Sequence, residues 1–546
     1  MTSSIMLPIA KRQQWFNLIF WALICAYLLY AALYIYRTSF VLDGERYFVL
    51  FDDAMISMRY ARNLAHGDGL VWNPGGERVE GYTNPLWVGF MALFHLLPLE
   101  ASKVSLPVQI GGALFLAANL LFVRRLGRLV SGSEVAALFA VTLTAFYMPL
   151  NNWGLQGMEV SLLTLIVTAA VWWALQSLAQ ARLAPGLFFV LAASTLVRVD
   201  MAVPALAITG FLFLADPPRR WKQLAWGLGT LALFLGAQTL FRYFYYGELL
   251  PNTYYLKMSG YALAPRLLHG AYVFWQFVWH ANWLLFILPF ALLLWRRDRA
   301  VLLPLLVFLG QAAYSVYVGG DAWEHRGGAN RYLALAMPLY FILFAAAVQS
   351  LAELLFEKAR ASAPQQTRLL RILFSIGAAL FIFAAMLNFN SLLGDRRSLE
   401  RWALLRQPLF IEGNKEYVRI AQDLRQITTP SAVIGVVTAG AIPYFSERPA
   451  LDLLGKNDAF IARLKPHHMG SPFNLEKFRP GHNKWDYDYS IGRLQPDVIV
   501  QLWGDSEAAQ EYIRLYYVGG GADDELFYSL RKDSPAILWN RVVPMP

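Results

Sequence analysis

Cysteine and charge are scarce in this chain. Of 546 residues one is cysteine, Cys25, which excludes a disulfide framework within one chain and a Cys-based metal site. Only 15% of residues are charged, against about 25% in a soluble globular protein. With 57% of residues apolar, the composition excludes a soluble enzyme with a single anchor. It specifies a polytopic α-helical membrane protein with the lipid bilayer as its first partner. Aromatics stand at 15%, with 18 Trp, as expected where many helix ends sit at headgroup level. No tandem repeat or low-complexity tract is present. A cleavable leader is not expected either. Lys11 and Arg12 precede an apolar run from Trp15 to Tyr36, longer than the roughly 7–15 residues of a signal-peptide core. The run reads as a first span with its N-terminus in the cytoplasm.

The net charge is +10, but it does not point to nucleic acid. Arg124-Arg125, Arg219-Arg220, Arg296-Arg297, Arg368 and Arg371 lie in short clusters between apolar runs, the pattern of cytoplasmic loops. Twelve apolar segments are candidate spans: 15–36, 85–98, 104–123, 134–150, 159–180, 184–198, 201–215, 222–244, 283–296, 300–318, 333–354 and 372–392. The basic loops disagree with a cytoplasmic N-terminus by one crossing. The short segment 85–98, between Pro85 and Pro98, repairs the parity if it only dips into the interface. About eleven spans result, and residues 1–392 form the transmembrane domain. The outer loops are then 37–84, 151–158, around 199–200, 245–282 and 319–332. Residues 393–546 lose the long apolar runs and lie on the outer side. An amphipathic helix over 416–427 and buried strands at 432–437 and 497–501 predict a small α/β cap domain there.

Polar residues collect on that outer face. Loop 37–84 carries Asp52, Asp53, Arg59, Arg62, Asn73, Glu80, Tyr82 and Asn84. Helical spacing puts Asp52, Arg59 and Asn63 on one face of a short surface helix. Glu159, Arg198 and Asp200 follow, then Asn252, Tyr254 and Lys257, then Asp321, His325, Arg326 and Arg331. Carboxylates can serve as general base or hold a metal, whereas Arg and Lys can hold phosphate. Together they suit a membrane-borne phosphate substrate whose leaving group gains negative charge. Each motif has a plainer reading as well. Asp-Asp also occurs as a solvated or capping pair, Arg198 and Asp200 as an ion pair at a helix end, and Pro251-Asn252-Thr253 and Gly319-Gly320-Asp321 as ordinary turns. His467-His468 lacks a third ligand at useful spacing and reads as a surface pair.

The run Asp52-Asp53-Ala54-Met55-Ile56-Ser57-Met58-Arg59-Tyr60 through Glu80-Gly81-Tyr82-Thr83-Asn84-Pro85-Leu86-Trp87 resembles the first outer loop of the GT-C family of membrane arabinofuranosyltransferases. The terminal β-(1→2) enzymes of mycobacteria and the related type IV pilin arabinosyltransferases belong to this group. Gly154-Leu155-Gln156-Gly157-Met158-Glu159, Leu250-Pro251-Asn252-Thr253-Tyr254-Tyr255-Leu256-Lys257, Gly319-Gly320-Asp321, Asn330-Arg331-Tyr332-Leu333 and Tyr444 to Gly455 add to the resemblance. It implies a GT-C fold and inverting transfer of D-arabinofuranose from a polyprenyl-phosphate donor to an extracytoplasmic glycan or protein acceptor. It implies Asp52 or Asp53 as catalytic base. Arg59, Lys257, Arg331 and Arg326 would meet the donor phosphate. Glu80, Tyr82, Asn84, Glu159, Asp200, Asn252, Tyr254, Asp321 and His325 would meet sugar or acceptor. The setting would be a bacterial inner membrane with the cap outside. A divalent cation at Asp52 and Asp53 is one option, and metal-free catalysis the other. Gln156 departs from the small residue the family pattern expects. A mannosyl- or aminoarabinosyl-transferase of the same fold is the alternative enzyme, and a transporter of a polyprenyl-linked sugar is the alternative outside catalysis.

Overall fold

The computed structural model describes residues 9–322, 330–362, 367–392, 395–467 and 478–545. The chain is a multi-pass membrane protein. Seven of its described helices are long and apolar enough to cross a bilayer: Lys11–Thr38, Ser105–Ser131, Val160–Ala179, Arg220–Tyr246, Arg299–Val318, Met337–Ser362 and Arg368–Asn390. Two bent pairs pass the same test, Glu134–Ala145 with Met148–Leu155 at 53° and Leu263–His280 with Trp283–Leu294 at 93°. Pro185–Leu196 and Val199–Ala215 are shorter apolar helices that pack on Arg220–Tyr246. The seven long helices, with each bent pair counted as one span, give up to nine crossings among the described residues by length and composition.

Side-chain contacts sort the loops by end. At one end, Gln13 reaches Glu134, Arg124 reaches Asn17, and Arg296 donates to the carbonyl of Val130. Arg219 at this end reaches Ala181. At the other end lie the 37–84 loop, the 198–200 turn and the C-terminal domain. Helix Pro85–His95 stays at this second end, because the His95 ring bonds the Tyr444 hydroxyl of the cap at 3.0 Å. At 11 residues it is also shorter than the helices long enough to span. The 93° bend has a similar origin. Leu263–His280 lies along the same end, tied to Gly319 through His269 and to Asn388 through Ala281. Asn282, at φ 61°, caps the short descending helix with its own side chain, a conformation Asn tolerates better than most residues.

The cap is α/β. Its six-stranded sheet runs in the order Ala450–Asp452, Ile434–Val436, Val498–Ile499, Tyr528–Arg531, Tyr517–Gly521, Val543–Pro544. The first three strands are parallel and the rest antiparallel. Helix Ile411–Ile427 covers it with an apolar stripe that includes Val418, Ala421, Leu424 and Ile427, at the i, i+3, i+4 spacing of a one-sided helix. The expected helix and both expected strands are present, slightly displaced at their ends.

The first outer loop and the cap form one body. Trp72 donates to Ala439 O, Arg62 to Tyr444 O, and Arg59 to Arg448 O, while Asn73 both donates to and accepts from Ala450. Hydrogen bonds to charged groups contribute about 1.5–3 kcal/mol each, so the loop that presents the acidic pair is set by the cap.

Candidate active site

Helix Asp52–His66 begins with both aspartates in its first turn and ends at Gly67, with φ 90°. Acidic side chains suit a helix N-terminus, and glycine suits the left-handed residue that closes one. Although adjacent, the two carboxylates point apart. The Asp52 carboxylate turns to the cap and accepts the Ala441 N–H at 2.7 Å. Gly440 makes that approach feasible: a Cβ there would stand 2.1 Å from the Asp52 carbonyl oxygen. Burial pushes the Asp52 carboxyl up to about 7, with Asp53 adding to the rise and the Ala441 N–H opposing it.

Asp53 faces a cluster of cations. One oxygen lies 3.0 Å from Lys456 Nζ and the other 3.3 Å from the Arg331 guanidinium. Burial alone would raise its carboxyl, but Lys456, Arg331 and Lys257 override that and hold it well below the usual carboxylate range. Arg331 also donates to one Asp321 oxygen at 2.9 Å, and its Nε lies 2.6 Å from the other, a close ion pair that holds the guanidinium beside this carboxylate. Burial lowers the Lys257 ammonium to about 8.

Two cavities meet at this cluster. One, of about 310 Å³, lies toward the cap and is walled by Phe51, Phe410, Tyr417, Thr438, Gln501 and Trp503. The other, of about 530 Å³, extends among the helices past Leu235, Leu250, Tyr254, Met258 and Val318. Asp53, Ile56, Lys257, Arg331 and Lys456 line both. The helical period accounts for the first two, since 53, 56 and 57 share one face.

A polar chain runs along the wall of the second cavity. Ser57 donates to Asn84, Asn84 to Glu159, and Arg198 to Glu159 and, in a two-point pair, to Asp200. Tyr82 and Tyr254 line the same cavity. Gln156, the departure from the family pattern, is buried, donates to Tyr34 and Asn152, and offers its carbonyl to the Phe51 N–H. It thus braces the residue just before the acidic pair.

Three expected site residues are placed elsewhere. Arg59 lines neither cavity; its guanidinium is buried on Trp72 O, Asn73 and Arg448 O, because the face it shares with Asn63 packs the loop against itself and the cap. Asn252 also lines neither, and its amide donates to the carbonyls of Gly455, Lys456 and Asp458. Glu80 pairs with Arg242 at 2.6 Å, and Arg242, not Glu80, reaches the second cavity. His325 and Arg326 lie outside the described residues, as does His468. His467 packs on Trp485 within the cap.

Sequence reasoning missed Lys456. It sits in a turn shaped by the buried Asp452 carboxylate, which accepts N–H groups from Leu454, Gly455 and Asn457. His482 of the cap lines the first cavity and is kept mostly neutral by burial, at about 4. The acidic pair does not fit a divalent cation, since its carboxylates diverge and Asp53 already faces ammonium and guanidinium. Among the described residues no group of three or more His, Cys, Asp or Glu could hold a metal ion. The arrangement instead suits an anion placed before Lys257, Arg331 and Lys456, with a carboxylate within reach of its neighbour.

Comparison with known proteins agrees with the resemblance read from the sequence. The chain is similar to terminal β-(1→2)-arabinofuranosyltransferases. It is 28% identical over 343 residues to the one from Corynebacterium glutamicum, covering 54% of this chain and 47% of that protein. It is 31% identical over 218 residues to the one from Mycobacterium tuberculosis, covering 37% and 34%. The chain thus matches about half or less of the length of these relatives. Residues 409–530 match a family described as a domain of unknown function (DUF8728). Among solved structures, apo ArnT from Cupriavidus metallidurans aligns with TM-score 0.48 at 12% identity, over 81% of this chain and 86% of that one. The Archaeoglobus fulgidus oligosaccharyltransferase tethered to an acceptor peptide aligns with TM-score 0.49 at 11% identity, over 96% and 74%.

Proposed function

We propose that the chain is an inverting GT-C glycosyltransferase that moves D-arabinofuranose from a polyprenyl-phosphate donor to an acceptor hydroxyl on the outer face of the bacterial inner membrane. The observation that carries this reading is Asp53, at the junction of two cavities and bracketed by Lys456, Arg331 and Lys257. Similarity to enzymes named for arabinofuranosyl transfer supports the sugar. The end of the bundle opposite the site carries Arg124, Arg125, Arg219, Arg296 and Arg297, which supports a cytoplasmic assignment for that end and an outer one for the cap.

In this mechanism the donor lies in the larger cavity, its prenyl tail along Leu235, Leu250 and Val318 and its phosphate before the cations. The acceptor enters from the cap side. The acceptor oxygen bonds to the anomeric carbon, the bond from that carbon to the phosphate oxygen breaks, and the proton passes to Asp53. The electron pair leaves with the phosphate, whose charge grows from one toward two. Lys456, Arg331 and Lys257 stabilise that growing charge. As they turn to the phosphate they release Asp53, so the base strengthens as the leaving group departs. Asp52 acts as the anchor that fixes the helix start against Ala441. Glu159 and Asp200 hold the sugar hydroxyls.

The reading is tested with full-length protein in lipid nanodiscs, given a synthetic farnesyl-phosphoryl arabinofuranose and an arabinan fragment. Release of farnesyl phosphate with a matching elongated glycan is the expected result. Exclusive use of a mannosyl or aminoarabinosyl donor would move the assignment to the alternative enzyme. Passage of donor across the bilayer without consumption would make the chain a transporter.

A further inference from the structure

Two polar side chains outside the reacting centre act on it from opposite sides. Lys484, in the cap, is 0% exposed. Its ammonium donates to the backbone carbonyls of Tyr255, Ser259 and Ala462, each at 2.8 Å. An ammonium has three N–H groups, and here all three are used on carbonyls. No ion pair to Lys484 occurs among the described residues. Two of those carbonyls bracket Lys257 on the short helix Asn252–Met258. Gly481, three residues before Lys484, lies against the Lys257 stem, where a Cβ would stand 3.2 Å from Lys257 Cε.

The other end of the same short helix returns the contact. The Asn252 amide nitrogen lies 3.0 Å from Gly455 O, 3.0 Å from Lys456 O and 3.3 Å from Asp458 O. These carbonyls bracket Lys456 in the cap. Each of the two cavity lysines is therefore held by a buried side chain from the partner segment.

We propose that Lys484 and Asn252 are positioning residues that form a reciprocal clasp. The cap's Lys484 fixes the turn that presents Lys257, and the loop's Asn252 fixes the turn that presents Lys456. The anion site is then assembled jointly by the cap and the 252–259 segment, and neither segment presents its lysine correctly without the other. This inference rests on the donor-phosphate reading above. It assigns Asn252 a role in phosphate binding at one remove, through Lys456, and not in sugar contact. Lys484 serves through its three-fold donor geometry, so a residue of similar length without donors leaves three carbonyls bare.

The test is a pair of double-mutant cycles on full-length protein in nanodiscs, read as affinity for farnesyl phosphate by calorimetry. Lys484→Met and Asn252→Ala should each weaken binding about 10-fold or more. Lys484→Met added to Lys257→Met should weaken it no further, and Asn252→Ala added to Lys456→Met should behave the same way. A residue that only staples the fold would lower the melting temperature and leave affinity alone, or would give multiplicative losses; either result overturns the clasp. If Lys484→Met does not fold, the Asn252 and Lys456 cycle decides. Wild-type protein that does not bind farnesyl phosphate would refute the donor reading itself. Binding that Lys257→Met weakens but neither clasp variant does would refute the clasp alone.

Discussion

Replacing Lys456 by methionine removes a cation from the reacting centre while keeping most of the side-chain volume. Lys456 Nζ lies 3.0 Å from Asp53 and its side chain is 21% exposed. At that distance an effective dielectric of about 20 gives an attraction of roughly 5 to 6 kcal/mol. Partial exposure screens part of it. Loss of one preorganised donor to a developing anion costs about 2.7–4 kcal/mol, and we take about 3 kcal/mol for this site. That corresponds to a fall in kcat of roughly 10²-fold. The same change leaves Asp53 with fewer counter-charges, so its carboxyl should rise. The acid limb of kcat/KM, which reports the free enzyme, should therefore move to higher pH as the rate falls. The assay is transfer of radiolabelled arabinose from a farnesyl-phosphoryl donor into glycan, between pH 3 and 9, where the wild type should show no limb from Asp53 and the variant's limb should enter from the acid side. A variant within about threefold of wild type with an unmoved acid limb would refute the reasoning, because it would mean that Lys456 meets neither the phosphate nor Asp53 during turnover.

Other outcomes follow from the same geometry. Burial brings Lys257 to about 8, so donor KM should rise as pH passes through about 8 and the ammonium loses its proton. Lys257→Arg, whose cation does not titrate in this range, should flatten that limb, and an unchanged limb would assign it to another group. Asp52 is raised to about 7, above its value of about 3.9 in an unfolded chain. The folded state then holds a proton that the unfolded state has lost between these values, so this group makes stability fall as pH rises from about 4 to 7. Asp52→Asn should remove that slope and melt no lower than wild type at pH 8, as read by a thermal shift series. Treatment with a chelator should leave transfer unchanged, since Lys and Arg supply the positive charge; restoration of a lost activity by a divalent ion would contradict this.

Much of the fold was readable because a membrane imposes simple rules. Apolar length located the helices, and clustered arginines fixed which ends lie together. The segment 85–98 stood out by its short length between two prolines, and its helix is held to the cap through His95 and Tyr444. The acidic pair, Lys257, Asp321 and Arg331 were legible because each sits in an outer loop beside a distinctive motif. What stayed hidden depends on tertiary partners. Arg59 shares a helical face with Asp52 in sequence, yet the Trp72 segment folds back over that face. Lys456 lies one residue beyond the Tyr444 to Gly455 motif and looks like an ordinary turn lysine; only the sheet order brings it to Asp53. Lys484 has no motif around it, and its three carbonyl partners come from two distant segments. The divergence of Asp52 and Asp53 was also invisible, because adjacent residues on a helix differ in direction by about 100°, and only the docked cap determines which of them meets Lys456 and Arg331 and which accepts the Ala441 N–H.

The central claim is that Asp53 is the base and Asp52 an anchor. The most direct measurement compares single-turnover transfer rates of Asp53→Asn and Asp52→Asn, each full length, folded in nanodiscs and saturated with donor. The account predicts that Asp53→Asn loses about 10³-fold or more, while Asp52→Asn stays within about tenfold of wild type. An Asp53→Asn protein that transfers at the wild-type rate, or an Asp52→Asn protein that is the inactive one of the two, would contradict it.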